Sequence, residues 1–289
     1  MIAQHPGTLL RQMAAERRGL LVPGAANALA ARLIEQLGFE AVYLSGAGLS
    51  NTFYGMPDLG FLHLGDVAQH TAALRDAVAL PIIVDADTGF GNALNVRHAV
   101  RTLERAGANA IQLEDQASPK KCGHFEGKVL VPRQEMIGKI KAAIDARVHA
   151  DFLVIARTDA AAVEGIDAAI ERAAAYAQAG ADLTFVEAPE SLEALRRLPL
   201  ELACPQVVNV VIGGKTPLSS AAAFGAMGFG MVLYANAALQ GAVRGMTMAL
   251  RHLREHGELA EDSELVATFA ERQALVRKPA FDALAGRYA

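Results

Sequence analysis

The stretch PIIVDADTGFGNALNVRHAVRTLERAGANAIQLED, residues 81 to 115, contains the pattern that decides the fold. An apolar run ends in acidic residues, a helical segment follows, and Gly107 precedes a second apolar run. Glycine adopts the left-handed conformation that ends helices at little steric cost. The stretch therefore predicts a strand, a helix and a second strand, which is the repeating unit of a parallel sheet.

The same punctuation recurs along the chain. Three further helical segments are predicted to end at a glycine and restart as a strand, at Gly38, Gly180 and Gly228. Eight short apolar runs can be counted, over residues 20–23, 41–45, 81–87, 110–115, 152–158, 183–188, 206–211 and 231–235. Eight such units within about 250 residues predict an α/β fold of the closed (β/α)8, or TIM, barrel type. An open doubly wound sheet is the alternative, but LLVPGAANALAARL after the first run lacks its G-x-G-x-x-G pattern.

The domain organisation follows from length and composition. With 289 residues, of which 52% are hydrophobic, the chain can bury a large core. No linker rich in Pro, Gly or Ser divides it, so we predict a barrel domain over residues 1–261 and a helical tail over 262–289. Apolar tail residues need a partner on their own barrel or on a neighbouring subunit: Leu265, Val266, Phe269, Leu275, Val276, Phe281 and Leu284.

Several protein classes are disfavoured by the composition. Two cysteines cannot form a disulfide framework, and the N-terminus has no apolar core of signal-peptide type, so we expect a cytoplasmic protein. No apolar stretch approaches the roughly 20 residues that span a bilayer. The net charge of -4, with scattered basic residues, gives no electrostatic footprint for nucleic acid. The expected partner is a small molecule.

Polar residues stand at the ends of six consecutive apolar runs. In a barrel, the carboxyl ends of the strands meet at one mouth, where barrel enzymes perform their chemistry. Buried charge is costly unless it is paired or bound to metal, so stability alone does not explain so many polar ends. The residues are Ser45, Asp85, Asp87, Glu114, Asp115, Arg157, Asp159, Glu187 and Asn209.

Acidic residues at this mouth predict a metal site. Asp85, Asp87 and Glu114 offer hard oxygen ligands from neighbouring strands, and such ligands suit Mg2+ or Mn2+, with some of them acting through water. Asp58, in the loop NTFYGMPDLGF, could add an outer carboxylate or could only form a turn. The structural alternative is that these acids cap helices or pair with Arg157.

A cysteine lies in a basic loop shortly after the fourth apolar run. Cys122 is flanked by Lys120, Lys121 and His124, and positive neighbours make a thiol more reactive. Such a thiol can act as a nucleophile or as a proton donor to a carbanion. Cys204, next to a proline at a strand entrance, is assigned to packing instead.

Small residues supply weaker signals. The segment YLSGAG, residues 43 to 48, could let backbone N–H groups approach an anion. GAMGFG, residues 225 to 230, is interpreted as a helix end and strand start. IGGKTP, residues 212 to 217, stays open between structure and phosphate binding.

The segment from Val84 to His124 resembles the signature region of the isocitrate lyase/phosphoenolpyruvate mutase superfamily. Further segments match in the expected order over most of the chain: PGAANALAARL, YLSGAG, GKVLVPRQEM, IARTDA, FVEAP and GGKTP. The form KKCGH is similar to that of the carbon–carbon lyases of the family and of an oxaloacetate-hydrolysing branch. The phosphonate mutases of the family lack this cysteine.

The resemblance implies roles for the residues at the mouth. Asp85, Asp87 and Glu114 would form a Mg2+ site, with Asp58 nearby. The 2-oxo acid part of the substrate would be held by Ser45, Gly46, Ala47 and Arg157, with Gly123 beside it. The family also implies that the final helix is exchanged between subunits, usually in a homotetramer built as a dimer of dimers.

The implied chemistry is a retro-aldol cleavage of a 2-hydroxy di- or tricarboxylate to pyruvate and a second carboxylate. Cys122 is the candidate acid that protonates the departing fragment, and Lys121, His124 and Arg157 would supply positive charge. Tyr43 or a metal-bound hydroxide would take the hydroxyl proton. Glu187 and Asn209 are expected to bind the second carboxylate or to orient Arg157.

Departures from the family pattern bear on the substrate. Asn27 replaces an aspartate of many relatives, Ile212 replaces a glutamate, and LYANAAL lacks the proline that 2-methylisocitrate lyases tend to have. A more apolar corner at Ile212 predicts a 2-alkylmalate such as 2,3-dimethylmalate in place of 2-methylisocitrate. Three alternatives stay open: hydrolysis or decarboxylation of oxaloacetate, a phosphonopyruvate-type reaction that Cys122 disfavours, and a non-catalytic protein that binds 2-oxo acids.

Overall fold

The eight predicted strands form a closed barrel. The computed structural model describes residues 4–123, 125–261 and 264–289. Each strand pairs in parallel with its neighbours in chain order, and β1 closes the barrel against β8. Strands β1 to β8 are Leu20–Ala25, Val42–Leu44, Ile82–Asp85, Ala110–Glu114, Leu153–Thr158, Leu183–Val186, Gln206–Asn209 and Met231–Tyr234.

Helices follow every strand and surround the barrel. A π-helical turn, Ser50–Tyr54, extends α3, and α1 precedes the first strand. In the described parts of the chain, α1 to α13 are Pro6–Ala15, Ala28–Gln36, Gly46–Leu49, Leu64–Ala77, Ala93–Arg105, Arg133–Ala146, Ala160–Val163, Ile166–Gln178, Leu192–Glu201, Ala221–Met227, Ala237–His256, Phe269–Leu275 and Lys278–Tyr288.

The sequence prediction of a (β/α)8 barrel is confirmed. Each of the eight apolar runs overlaps one strand, and the open doubly wound sheet is excluded because β1 and β8 are paired. The four helix-ending glycines all have a positive φ, of 81°, 104°, 110° and 103° at Gly38, Gly107, Gly180 and Gly228. The interpretation of residues 225 to 230 as a helix end and strand start is thereby confirmed.

The barrel interior is apolar at its amino end and polar at its carboxyl end. Helix α1 closes the amino end, where Leu10, Met13 and Ala14 pack against the first residues of the strands. Because strand side chains alternate between two faces, the inward position that follows Ile83 is Asp85, and the one that follows Ile155 is Arg157. The fold thus places a layer of polar side chains above an apolar plug.

The carboxyl-terminal helices leave much apolar surface exposed. None of the residues of α11, α12 or α13 is buried, although each helix carries apolar side chains. The tail touches its own barrel where Arg277 Nη2 lies 2.9 Å from Glu35 Oε2. The division at residue 262 stays a prediction, and residues 262 and 263 lie outside the described part. Among the helices that are described, none combines the length and the apolar character needed to cross a bilayer.

Candidate active site

The polar strand ends meet at the carboxyl mouth of the barrel. Strand pairing sets Glu114 of β4 directly beside Arg157 of β5, and Asp85 of β3 beside Gln112 of β4. Glu187 and Asn209 follow on the next two strands, and the Asn209 amide lies 3.3 Å from Glu187 Oε1. Asp85 and Asn209, which are 124 positions apart in the chain, therefore share one site.

A cavity of about 60 Å³ opens at this mouth. Most of the residues that the sequence proposed for catalysis or substrate binding line it, together with several that it did not propose. Its lining comprises Tyr43, Ser45, Ala47, Asp58, Asp85, Gln112, Lys120, Lys121, Cys122, Gly123, Arg157, Phe185, Glu187, Asn209, Val211, Leu233, Ala235 and Asn236. Gly46, Asp87 and Glu114 are not part of this lining, but they contact its members Asp85, Lys120 and Arg157, respectively. His124 lies outside the described residues.

The ammonium of Lys120 lies among the carboxylates proposed for the metal. Its Nζ is 2.5 Å from Asp58 Oδ1 and 2.9 Å from Asp87 Oδ1, and it is almost fully buried. Burial alone would lower the pKa of Lys120, but the surrounding carboxylates, Asp87 foremost, raise it well above its ordinary value. Lys120 therefore carries a fixed positive charge at the centre of this acidic group.

Two of the buried carboxyls of the group, Asp87 and Glu114, have raised pKa values. Burial raises the pKa of Asp87 to about 7, with Lys120 opposing the shift and Asp85 and Asp58 adding to it. Burial likewise raises the pKa of Glu114 well above its ordinary value, although Arg157 opposes it. Both groups resist carrying negative charge unless a cation compensates it.

The donor set fits Mg2+. Glu114 Oε1 is buried without a hydrogen-bond partner, so it can accept a bond from a metal-bound water. Among the described residues, no three acidic, histidine or cysteine side chains already converge as a ligand cluster. Mg2+ keeps several waters and uses few direct carboxylates, so a buried carboxylate such as Glu114 can hold it through a water. At the described part of the mouth, carboxylates also outnumber cationic side chains: Asp58, Asp85, Asp87, Glu114, Asp159 and Glu187 against Lys120, Lys121, Lys128 and Arg157.

The guanidinium of Arg157 is held by three carboxylates. Its Nε and Nη2 donate to Asp159 at 3.0 and 3.1 Å, and Nη1 lies 3.3 Å from Glu114. Nε is also 3.6 Å from Glu187, whose other oxygen faces the Asn209 amide. The sequence alternative in which Glu114 pairs with Arg157 is therefore realised. The position of Glu187 favours its predicted role in orienting Arg157.

The loop that carries Cys122 lies across the mouth. Its base is a short antiparallel bridge between Gln116 and Leu130, and the Gln116 side chain bonds the backbone of Lys121 in both directions, at 2.8 and 2.9 Å. A Cβ added at Gly123 would stand 2.4 Å from Arg157 Nη2 and 2.5 Å from Glu187 Cγ. The backbone of the loop thus rests directly on the side chains of Arg157 and Glu187, which leaves room for glycine alone.

Tyr43 of β2 and Ser45, the residue that follows this strand, already have partners. The Tyr43 hydroxyl donates to Gln112 Oε1 at 2.7 Å, and burial, followed by the charge of Asp85, raises the pKa of Tyr43 well above 10. Ser45 Oγ donates to Asn236 Oδ1 at 3.2 Å and accepts from the Gly48 N–H. The Gly46 N–H points to Asp85 Oδ2 at 3.3 Å. Their predicted catalytic and substrate roles stay predictions.

Four residues of the site were not proposed from the sequence. Lys120 was noted only as a neighbour of Cys122, whereas Gln112, Lys128 and Asn236 were not singled out. Gln112 could have been found by counting two residues back from Glu114 on the same strand. In contrast, Ile212 does not line the cavity, and 53% of it is exposed. The apolar lining comes from Phe185, Val211, Leu233 and Ala235 instead.

Comparison with protein families places the chain among known enzymes. The family model described as phosphoenolpyruvate phosphomutase matches residues 10–254. The chain is 42% identical to 2,3-dimethylmalate lyase of Eubacterium barkeri over 262 residues, which cover 91% of each chain. It is 44% identical to 2-methylisocitrate lyase of Aeropyrum pernix over 254 residues, 88% of this chain and 82% of the relative.

Solved structures of similar proteins share the whole fold. An oxaloacetate acetylhydrolase in complex with the inhibitor 3,3-difluorooxalacetate matches with a TM-score of 0.92 and 31% identity, over 99% of this chain and 98% of the other. A phosphonopyruvate hydrolase in complex with oxalate and Mg2+ matches with a TM-score of 0.87 and 32% identity, over 99% of both chains.

Proposed function

The chain belongs to the phosphoenolpyruvate mutase/isocitrate lyase superfamily and is a carbon–carbon lyase, and we propose that it cleaves a 2-alkylmalate to pyruvate and a second carboxylate with the help of Mg2+. One observation carries the proposal. The thiol loop lies on Arg157 and Glu187, so that Cys122 lines the same cavity as Asp85 and Lys120. This arrangement supports a proton donor and a cation site that face one small space.

The carboxylates Asp85, Asp87 and Glu114, with Asp58 nearby, would hold the metal. When bound, Mg2+ polarises a 2-hydroxy acid and lowers the pKa of its hydroxyl group. The chain itself supplies the positive charge that faces the rest of the substrate. Arg157 is oriented by its three carboxylate partners, and it binds the carboxylate of the 2-oxo acid part together with Ser45.

Bond cleavage leaves an electron pair on the carbon of the departing fragment. That carbanion is stabilised as an enolate-like carboxylate and takes a proton from the Cys122 thiol. Gly123 positions the thiol because its backbone contacts Arg157 and Glu187. The raised pKa of Tyr43 and its hydrogen bond to Gln112 favour a neutral phenol there, so we propose that Tyr43 orients the substrate and that another base takes the hydroxyl proton.

The lining of the cavity favours an alkyl-substituted dicarboxylate. Phe185, Val211, Leu233 and Ala235 present apolar surface to the space above the metal site. In the described part of the chain, the cations at the mouth already have carboxylate or carbonyl partners. Lys121 Nζ, for example, donates to the Gly127 carbonyl at 2.9 Å. A third carboxylate, as in 2-methylisocitrate, would need a cation to compensate its charge there, whereas an alkyl group needs none.

A substrate panel tests this function. Purified protein with Mg2+ is incubated with 2,3-dimethylmalate, other 2-alkylmalates, 2-methylisocitrate and oxaloacetate, and the products are quantified. We expect pyruvate release, fastest from a 2-alkylmalate. If oxaloacetate alone is turned over, with oxalate as product, the protein is a hydrolase and the lyase proposal is wrong. If the protein binds pyruvate but turns over none of these compounds, it is a non-catalytic binding protein.

Hydrolysis of oxaloacetate is the second candidate function. The observation in its favour is the TM-score of 0.92 to an oxaloacetate acetylhydrolase, over nearly the whole of both chains. Both reactions release an enolate-like carboxylate that needs a proton, so the same thiol can serve either. The substrate panel separates them by product.

The acidic site predicts a pH dependence of Mg2+ binding. The pKa of Asp87 is raised by burial from its ordinary 3.8 to about 7, so the folded, metal-free protein is destabilised increasingly as the pH rises across that range. A bound Mg2+ ion compensates the charge of the buried Asp87 carboxylate and so removes this destabilisation. Below about pH 7 a proton competes with Mg2+ for the carboxylate. The increase in melting temperature on adding Mg2+ is therefore expected to be larger at pH 8 than at pH 6.

Thermal unfolding at both pH values, with and without Mg2+, measures the effect. Asp87→Asn is the matched variant, because an amide cannot titrate and should flatten the pH dependence. Equal increases at pH 6 and pH 8 in the parent protein would contradict the assignment of Asp87 to the cation site.

The exposed carboxyl-terminal helices support a homotetramer in which they pack on a neighbouring subunit. Helix α11 carries exposed Val243, Met246, Met248 and Leu250, and its 20 residues include no buried side chain. Exposed apolar surface on this scale is typical of subunit interfaces. The exchange of helices between subunits stays a prediction.

A further inference from the structure

A buried lysine at the base of the thiol loop has no role in the chemistry proposed above. The Lys128 side chain is only 2% exposed, and lysine is rarely buried unless it is paired. Its Nζ donates to Asp159 Oδ1 at 2.8 Å and also to the carbonyl oxygen of Gly123. One ammonium group thus joins the tip of the loop to the barrel.

Asp159 connects Lys128 to the substrate site. It also accepts from the guanidinium of Arg157 at 3.0 and 3.1 Å, and its backbone N–H donates to Asp115. Burial alone would raise the pKa of Asp159, but the attraction of Arg157 and Lys128 outweighs burial and lowers it. The Asp159 carboxylate is therefore a charged group shared by both cations.

The bond to Gly123 depends on the position of the loop. In the structure the loop lies on the mouth, where Gly123 contacts Arg157 and Glu187 and its carbonyl accepts from Lys128. Lys128 is itself held at the base of the loop, where the Ala117 N–H donates to the Val129 carbonyl at 2.7 Å. One ammonium, anchored at the base of the loop, therefore bonds the backbone next to Cys122.

We propose that Lys128 is a positioning residue that latches the thiol loop closed and couples closure to the orientation of Arg157 through Asp159. This inference depends on the proposed function in one respect: the latch serves to bring Cys122 to the substrate. Substrate binding that orders Arg157 and Asp159 also favours the closed loop, because the same carboxylate holds Lys128.

The latch is tested by the accessibility of Cys122, which needs no turnover. Alkylation by iodoacetamide is followed at the Cys122 peptide by mass spectrometry, with and without Mg2+ and oxalate. In the parent, Mg2+ and oxalate should slow alkylation. In Lys128→Met, alkylation in their presence should be about tenfold faster or more, the size expected for losing a hydrogen bond to a charged group.

Controls separate a latch from a general loss of structure. Lys141→Met removes an exposed lysine on α6 and should leave the alkylation rate at the parental value. Alkylation of Cys204 in the same samples should also be unchanged in Lys128→Met, whereas a loosened fold would expose both thiols. If Lys128→Met does not fold, Lys128→Gln, which keeps a polar side chain without the charge, is expected to alkylate faster than the parent.

Parental protection of Cys122 in whichever Lys128 variant folds would overturn the latch. The outcome is independent of the substrate panel, because a protein that cleaves none of those compounds can still close its loop over oxalate. A folded Lys128→Met with an unprotected thiol should also show a lower kcat, and Lys128→Arg, which restores a cation beside Asp159, should recover part of it.

Discussion

Cys122→Ser is expected to lower kcat by roughly 10²–10⁴-fold, the contribution typical of a general acid. A serine hydroxyl is a far weaker acid than a thiol, so the departing carbanion loses its proton donor. The substitution preserves size, and the loop contacts that involve Gly123 do not depend on the sulfur atom. The loss should therefore appear in kcat, with little change in the affinity for oxalate in the presence of Mg2+.

Steady-state pyruvate release and oxalate binding measure the two effects. Cys204→Ser is the matched control, because Cys204 lies at the entrance to β7 beside Thr184 and far along the barrel axis from the mouth. It should cleave at the parental rate. A Cys122→Ser protein that also cleaves at the parental rate would remove the thiol from the mechanism, whatever the substrate.

Gly123→Ala is expected to lower activity by about 10²-fold or more, since displacement of a reacting group by about 1 Å can cost that much. The added methyl group would stand 2.4 Å from Arg157 Nη2 and 2.5 Å from Glu187 Cγ, distances that force atoms apart. The loop must then lift from the mouth, which moves Cys122 away and breaks the carbonyl contact with Lys128.

Gly138→Ala provides the comparison for this variant. Gly138 lies within α6, and a methyl group added there meets no atom within 4 Å. Alanine also favours a helix over glycine by about 1 kcal/mol. That variant should keep full activity with equal or higher thermal stability, whereas Gly123→Ala should keep its stability and lose activity. Full activity in Gly123→Ala would mean that the loop does not act in the closed position.

The two variants also differ in what they leave intact. In Cys122→Ser the loop closes without its acid, so Mg2+ and oxalate bind as in the parent. In Gly123→Ala the acid is present but held away, so the thiol should react with iodoacetamide even when Mg2+ and oxalate are bound. Together they separate the chemistry of the loop from its position.

The fold was predictable because its signals are local. Apolar runs of four to seven residues and a glycine at four of the helix ends are visible within short windows, and eight repeats leave little choice of topology. The strand-end residues followed from the same argument. Once the runs are strands of one barrel, the residues after them must meet at one mouth, as Asp85, Glu114, Arg157, Glu187 and Asn209 do.

The roles of the loop lysines could not be obtained in that way. Three lysines of one short loop segment look alike in the sequence, yet each has a different environment. Lys120 pairs with Asp58, 62 positions earlier, and Lys128 pairs with Asp159, 31 positions later, whereas Lys121 bonds carbonyls of its own loop. Ile212 gives the converse case, since a position expected to shape the substrate corner is exposed.

By itself, the sequence determined the barrel, the mouth and the residue types available for metal and proton chemistry, because backbone periodicity and strand-end position depend on near neighbours in the chain. Only the tertiary structure decided which charges are paired. It placed Lys120 among the carboxylates proposed for the metal and Lys128 between Gly123 and Asp159, because the strength of an ion pair depends on distance and burial, and both are set by segments that are far apart in sequence.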